Sequence, residues 1–436
     1  MRNDGLKSTL CILLVAVLAS VVGATCGCGR SESPTTTLNF WAIGSEGEQV
    51  QQMVPEFERA NPGIRVRVQQ IPWNAAHEKL LTAFAGDATP DLCQLGNTWI
   101  PEFSALNALE PLDGLVQDSR VVRSNDYFPG VWETNRVDEH TFGIPWYADT
   151  RILFYRRDIL AAAGFNSPPA TWDEWLTAMR KIKQAVGRDR FAILIPTNEW
   201  EQPTIFALQT GARMLRDDDR YSNFQSPEFR GAFKFYVDLF GEGLAPPVRN
   251  TEVSNVWEEF SRGYFAMYIT GPWNIGEFGR RLPPEMRDQW ATAPLPRPAG
   301  SAHSVSQAGG CGLVIFRRSK HQKEAWKLIE FLSQPAQQVR FYELTGNLPP
   351  RKSSWEQGRL AAEPKMEAFY QQLQYAVPLP RVPEWEQIAT RIMQAGQAAI
   401  AGQTTIDDAL RELDQRVDKL LDKRRWMLVR HETKDD

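Results

Sequence analysis

Three times between residues 38 and 105 the chain alternates between a short apolar run and a helical pattern, and this alternation narrows the fold more than any other feature. Residues 38–42 (LNFWA) read as a strand, and Val50, Met53, Val54 and Phe57 fall on one face of a helix that Asn61-Pro62-Gly63 stops. Ile64, Val66 and Val68 alternate as in a second strand, and Pro72-Trp73-Asn74 leads into a helix over 77–85. A third strand, 91–95, ends at Gly96-Asn97-Thr98-Trp99, which opens another helix. Repeated strand–loop–helix units predict a parallel sheet flanked by helices. In such sheets ligands sit beyond the carboxyl ends of the strands. Glu46, Trp73, Asn97 and Trp99 all fall at those ends.

Further along, 141–158 reads TFGIPWYADTRILFYRRD, in which Trp146 and Tyr147 precede a turn and then a short buried strand. Two large aromatics at a chain crossing, with Asp149 and Arg151 beside them, suit a polar, ring-shaped ligand; a sealed core is the alternative. Thr171-Trp172-Asp173-Glu174 predicts a capping box. Strand ends at Asn198–Gln202 and Thr270–Asn274 bring up Trp200, Trp273 and Asn274. Arg351 follows a double proline, and an amphipathic helix is expected over 405–424.

The chain has 436 residues, more than one hydrophobic core usually supports, so two lobes are expected. Its net charge of −4 and lack of basic clusters argue against nucleic acid and anionic membrane surfaces as partners. Fifteen Trp exceed what cores need, because each indole N–H must find a partner, and cleft-lining indoles follow. A sugar ring has an apolar face that stacks on such an indole and a rim of hydroxyls that carboxylates, amides and guanidinium groups grip. Glu46 also reads as a helix cap, Trp99 as core, Trp200 as loop packing, Arg351 as a surface cation, and Asp149 and Arg151 as partners of each other.

At the amino terminus Arg2 and Lys7 precede an apolar run over 10–22, too short to span a bilayer comfortably and suited to an export signal. Small residues then lead to Cys26 and Cys28, either of which suits lipidation, with 29–37 as a tether. Cys93 and Cys311, in the body, either pair or pack as small apolar side chains. The five His show no zinc-type spacing, and no cofactor or metal is expected.

These pieces, in this order, resemble the extracellular solute-binding proteins of ABC sugar importers, the maltose-binding-protein-like family. The resemblance is carried by NFWAIGSEGE, EFERANPGIRVRV, TPDLCQLG, GIPWYADTRILFYRRD, YFAMYITGPWN, GGCGLVIF, GNLPPRKSSW and the tail from VPEWEQ to DKLL. It implies a two-lobed α/β fold, each lobe a mainly parallel sheet flanked by helices, with crossings near 145–149, 298–310 and 347–351. The lobes are expected at 38–146 with 309–347, and 147–308 with 348–436, after a signal over 1–28. It implies that Trp146, Tyr147, Trp273 and Arg351 border the cleft. Where relatives often place a large aromatic after Gly-Gly, this chain has Cys311, which removes one stacking face. The implied function is non-enzymatic capture of a sugar or oligosaccharide in the periplasm, or on the outer face of the membrane. Its partners are an importer's transmembrane subunits, with a lipid anchor and a monomeric state. An exported glycoside hydrolase and a binder of a phosphorylated polyol are the competing readings.

Overall fold

Alternating burial sets the first strand of the computed structural model, which describes residues 35–357, 360 and 363–432. In β1 (Thr36–Ile43) Leu38, Phe40 and Ala42 are buried and Asn39 is exposed, the period of a strand with one covered face. β2 (Ile64–Ile71) pairs with β1 in parallel without a slip, from Thr36 opposite Ile64 to Ile43 opposite Ile71. β3 (Leu92–Gly96) is buried throughout and lies parallel on the other side of β1. The export segment, most of the tether, Cys26 and Cys28 lie outside the described residues.

Six more strands complete two sheets: β4 (Gly143–Asp149), β5 (Ile152–Arg156), β6 (Phe191–Leu194), β7 (Phe265–Thr270), β8 (Trp290–Ala293) and β9 (Gly309–Ile315). The first sheet has the order β2-β1-β3-β9-β4 and the second β8-β5-β7-β6. The strands joined by helical crossovers are parallel, as expected for β2-β1-β3 and for β6 beside β7. β9 runs antiparallel to both β3 and β4, and β5 antiparallel to both β7 and β8. The chain is thus a two-lobed α/β protein whose sheets are mixed.

Helices cover both sheets. The helical face expected over 50–57 is split into α1 (Glu46–Val50) and α2 (Val54–Ala60). Pro55 sits in the first turn of α2, lacks an N–H, and cannot continue the turn before it. α3 (Trp73–Ala85) starts four residues earlier than its apolar period suggested, directly after Pro72. α4 (Trp172–Val186) carries the expected capping box between Thr171 and Glu174. There follow α5 (Glu201–Gln209), α6 (Pro227–Gly241), α7 (Trp273–Arg281), α8 (Gln322–Leu332), α9 (Pro335–Thr345), α10 (Trp385–Ile400) and α11 (Ile406–Glu432). Of the apolar face expected in α11, Ala409, Leu410, Leu413, Val417 and Leu421 are buried and Leu420 is half-buried, and Thr405 Oγ accepts the Asp408 N–H at 3.1 Å. Each buried leucine contributes about 1.5–3 kcal/mol.

The first sheet's core is built from Phe40, Phe57, Leu92, Leu313 and Trp326. The second sheet's core takes in Leu153, Trp175, Phe206 and Met267, and closes over Trp385 and Leu413 of the carboxyl-terminal helices. Between the sheets the chain crosses at residues 150–151, where the buried Thr150 hydroxyl donates to the Gln307 carbonyl at 2.8 Å. Ser306 Oγ accepts from the Arg151 N–H at 3.3 Å and donates to the Arg151 carbonyl at 2.9 Å. The Ala148 N–H donates to Leu348 at 2.8 Å, so a third crossing joins the same place.

Candidate binding cleft

The strand ends of both sheets open onto one cleft of about 500 Å³, a volume typical of sites that enclose a small molecule. β1 ends in Gly44-Ser45-Glu46, β2 in Pro72-Trp73, β3 in Asn97-Thr98-Trp99 and β7 in Pro272-Trp273, and each brings residues to its wall. This is the placement expected beyond the carboxyl ends of strands. Gly44 holds φ at +69°, and a Cβ there would come within 2.4 Å of Trp73 Nε1; glycine is what lets that indole lie against the β1 turn.

Of the residues singled out from sequence, Glu46, Trp73, Asn97, Trp99, Tyr147, Asp149, Trp200 and Trp273 line this cleft. Trp73 and Trp273 remain 43% and 42% exposed, from opposite sides of it. Trp99 meets Trp73 edge-on at 5.9 Å, and Trp200 meets Trp385 edge-on at 5.8 Å. The buried Glu46 carboxylate accepts from Asn347 Nδ2 at 3.0 Å. Asn97 Nδ2 donates to the Ala308 carbonyl at 3.1 Å, tying the β3 end to a crossing. Beneath them Gln94 accepts from the Ile43 N–H at 2.8 Å and donates to Tyr147 Oη at 3.2 Å. Burial pushes the Tyr147 phenol well above its usual range, so it stays a neutral hydroxyl.

Trp146, Asn274 and Arg351 are corrected: none of the three lines the cleft, so Trp146 and Arg351 do not share a hollow with Trp273. Trp146 sits where the β4–β9 pairing slips, between Pro145 opposite Gly312 and Tyr147 opposite Cys311, and both rings lie against Phe341, but only Tyr147 reaches the cleft. Trp146 is 2% exposed and stacks on Phe341 at 4.3 Å in the first core. Asn274 follows Trp273 on a helix, about 100° round the axis; its amide donates to Thr270 Oγ at 2.7 Å and accepts from Trp257 Nε1 at 3.1 Å. Arg351 is buried away from the cleft, bonded to Asp126 at 2.6 Å and to the Ser333 carbonyl at 2.6 Å. A buried guanidinium is stable only when engaged in this way.

The cleft also holds residues that the sequence reading left out or gave another role. Arg151 does pair with Asp149: its Nη1 reaches both carboxylate oxygens, at 2.8 and 2.7 Å. It further reaches Glu201 at 3.0 Å and lies over the Trp273 ring, 4.7 Å from its centroid. Glu201 was legible as the first-turn acid of a helix after a strand end. Asn347 stands at the start of the crossing expected over 347–351, whereas Glu386 and Thr345 come from remote segments with no local signal. Burial raises the Glu386 carboxyl, opposed by a hydrogen bond from Thr98 and the charge of His77. Cys311 lines the wall as a free thiol pushed up to about 12 by burial, and Cys93 is free as well. Cys311 pairs with Gly96 and Cys93 with Val314, three register steps apart and beyond disulfide reach. Among the described residues no group of three His, Cys, Asp or Glu is placed to hold a metal. No helix among them is long and apolar enough to cross a membrane.

Comparison with known proteins bears on this geometry. Residues 42–339 match the pattern of a family described as bacterial extracellular solute-binding protein. The solved structure of the sugar-binding protein MalE from Xanthomonas citri is 51% identical, covers 90% of this chain and 99% of its own, and superposes with a TM-score of 0.87. A solute-binding protein of an ABC transporter from Thermotoga lettingae, bound with α-D-tagatose, is 27% identical over 89% of this chain and 100% of its own, with a TM-score of 0.75. A binding protein of Brucella abortus is 28% identical over 382 residues, 86% of this chain and 90% of its own.

Proposed function

This chain belongs to the bacterial extracellular solute-binding proteins, and on that premise we propose that it captures a sugar or oligosaccharide in the cleft and hands it to an ABC importer. One observation carries the reading. Trp73 and Trp273 stand on helices of opposite lobes, both line the cleft, and both keep more than two-fifths of their surface open. A large aromatic left exposed inside a hollow loses the gain of burial unless a ligand covers it. A saccharide's C–H face covers an indole, and Glu46, Asn97 and Tyr147 stand within the same walls to meet its hydroxyls. The Xanthomonas relative, at 51% identity, is named a sugar-binding protein.

Contacts from both sides favour the closed arrangement by their differential affinity, with the three joined crossings as the pivot. The membrane subunits of the importer then receive the closed form. Family membership places the protein outside the cytoplasm; lipidation at Cys26 or Cys28 would hold it at the membrane, and it works as a monomer. The relatives are binding proteins, and nothing favours hydrolysis of the bound sugar.

Isothermal titration and a thermal-shift screen with maltose, maltotriose, trehalose, galactobiose and tagatose test this reading, since a ligand of the folded state raises the melting temperature. Saturable binding of at least one, weakened by Trp273→Ala, is the expected result. Release of reducing ends during incubation would replace capture by hydrolysis.

A further inference from the structure

We infer that the cleft is set against anions: it accepts uncharged and amine-bearing saccharides and turns away sugars that carry phosphate or carboxylate. This rests on the sugar-capture reading above and narrows it. A protein holds an anion with a free guanidinium or ammonium group, or with the open amino-terminal end of a helix. Here each of these is already answered by the chain itself.

Among the described residues that line the cleft, Arg151 is the one guanidinium, and no lysine joins it. Its Nη1 is held by both oxygens of Asp149 and its Nη2 by Glu201, and its flat face lies on Trp273. Its side chain is only 9% exposed. A phosphate could reach Arg151 only by displacing a carboxylate that the fold holds in place.

The helix ends tell the same way. α5 and α10 both begin at the cleft, and each carries a glutamate in its first turn, Glu201 and Glu386, that lines it. The partial positive charge of each helix start therefore faces its own carboxylate before any ligand arrives. α3 and α7 also begin there, but with Trp73 and Trp273, so an apolar ring stands where an anion would approach. Glu46 and Asp149 bring the cleft-lining carboxylates to four against the one guanidinium. Behind Glu201, Glu199 is raised by burial and then by the Glu201 charge, against the Gln202 hydrogen bond and the Arg151 charge, and the four carboxylates outnumber the one guanidinium, so the cleft carries net negative charge. An incoming anion meets that charge, and a protonated amine is drawn by it.

Matched probes test the inference. Trehalose, trehalosamine and trehalose 6-phosphate, and maltose with maltose 1-phosphate, are titrated calorimetrically at low salt alongside the neutral sugars named above. The phosphate member of a pair is expected to bind at least a hundredfold more weakly than its neutral parent, and the amine within tenfold of it. Glu201→Gln combined with Glu386→Gln, which removes one of the two counter-charges of Arg151 and the carboxylate at both helix starts, is expected to raise affinity for the phosphate at least tenfold over the wild type. A phosphate that binds within tenfold of its neutral parent overturns the charge inference and leaves sugar capture standing. Rejection unchanged in the double variant shows that shape, not charge, excludes the phosphate, and also overturns it. If no sugar of any charge binds, sugar capture itself falls, and the inference with it.

Discussion

The Arg151 guanidinium lies over the Trp273 indole, 4.7 Å from the ring centroid. It links three parts of the molecule, since the same group is bonded to Asp149 at the end of β4 and to Glu201 at the start of α5. Arg151→Met keeps an unbranched apolar stem and removes the guanidinium with its charge. It leaves two carboxylates facing each other in a half-closed space with their cation gone. Breaking a buried pair from one side costs about 3–5 kcal/mol, and partial exposure of Asp149 and Glu201 places the expected loss toward the lower end. Urea denaturation reads this as a fall in midpoint. A midpoint within 0.2 M of the wild type, with the slope unchanged, would remove Arg151 as the organising group.

The two tryptophans that the sequence treated alike separate in behaviour. Trp273→Ala removes an indole that is 42% exposed in the cleft. Saccharide affinity is expected to fall at least tenfold, with little change in melting temperature. Trp146→Ala removes a ring that is 2% exposed and stacked on Phe341, and such truncations cost about 3–5 kcal/mol of stability. The residual folded fraction should keep near-normal affinity. The opposite pattern, in parallel thermal melts and titrations, would put Trp146 at the ligand and Trp273 in the core.

That contrast shows what the sequence could and could not carry. The strand–helix alternation over the first lobe is local, so β1, β2 and β3 and the residues at their ends, Glu46, Trp73, Asn97 and Trp99, were legible. The capping box at Thr171 was equally local. Trp146 was misplaced because the bulge at which β4 slips against β9 seats its ring on Phe341 and leaves Tyr147 at the cleft, and that register is set by a strand far away in sequence. Arg351 was misplaced because its partners, Asp126 and Ser333, come from distant segments. Glu386 reaches the cleft only because α10 packs across the second sheet's core, and no window of residues reveals that.

Glu386 gives the cleft a pH dependence. Burial is the largest cause of its rise above the usual 4.5, outweighing the Thr98 hydrogen bond and the charge of His77; Glu201 and Glu102 push it further up. The folded protein thus binds this proton more tightly than the unfolded chain. The stability Glu386 contributes is complete below its ordinary value and is lost as pH rises through the raised one. Glu386→Gln removes that loss. The variant should melt higher than the wild type near pH 7, with the difference shrinking toward zero as pH falls to about 4. Melting curves across that range decide it, and an equal difference at every pH would show that the carboxyl is not what responds.

The last prediction concerns the pivot. Gly310 holds φ at +119°, and a Cβ there would come within 2.2 Å of the Tyr147 carbonyl oxygen. β9 and β4 approach this closely just before their pairing shifts between Cys311 and Gly312. Gly310→Ala has to relieve both the unfavourable φ and the overlap, and the atoms in the way are backbone, which cannot turn aside as a side chain would. A strained backbone position costs about 1–3 kcal/mol, and overpacking adds about 1–3 kcal/mol. The cheapest relief is to spread β9 from β4 at the crossing, which also lifts Tyr147 and Asp149 from the cleft wall they now form. Denaturation should therefore show a loss of at least about 2 kcal/mol, and calorimetry of the folded fraction a weaker saccharide affinity. A stability loss with affinity intact would mean that the sheet absorbs the strain on its far side and that the crossing does not set the cleft.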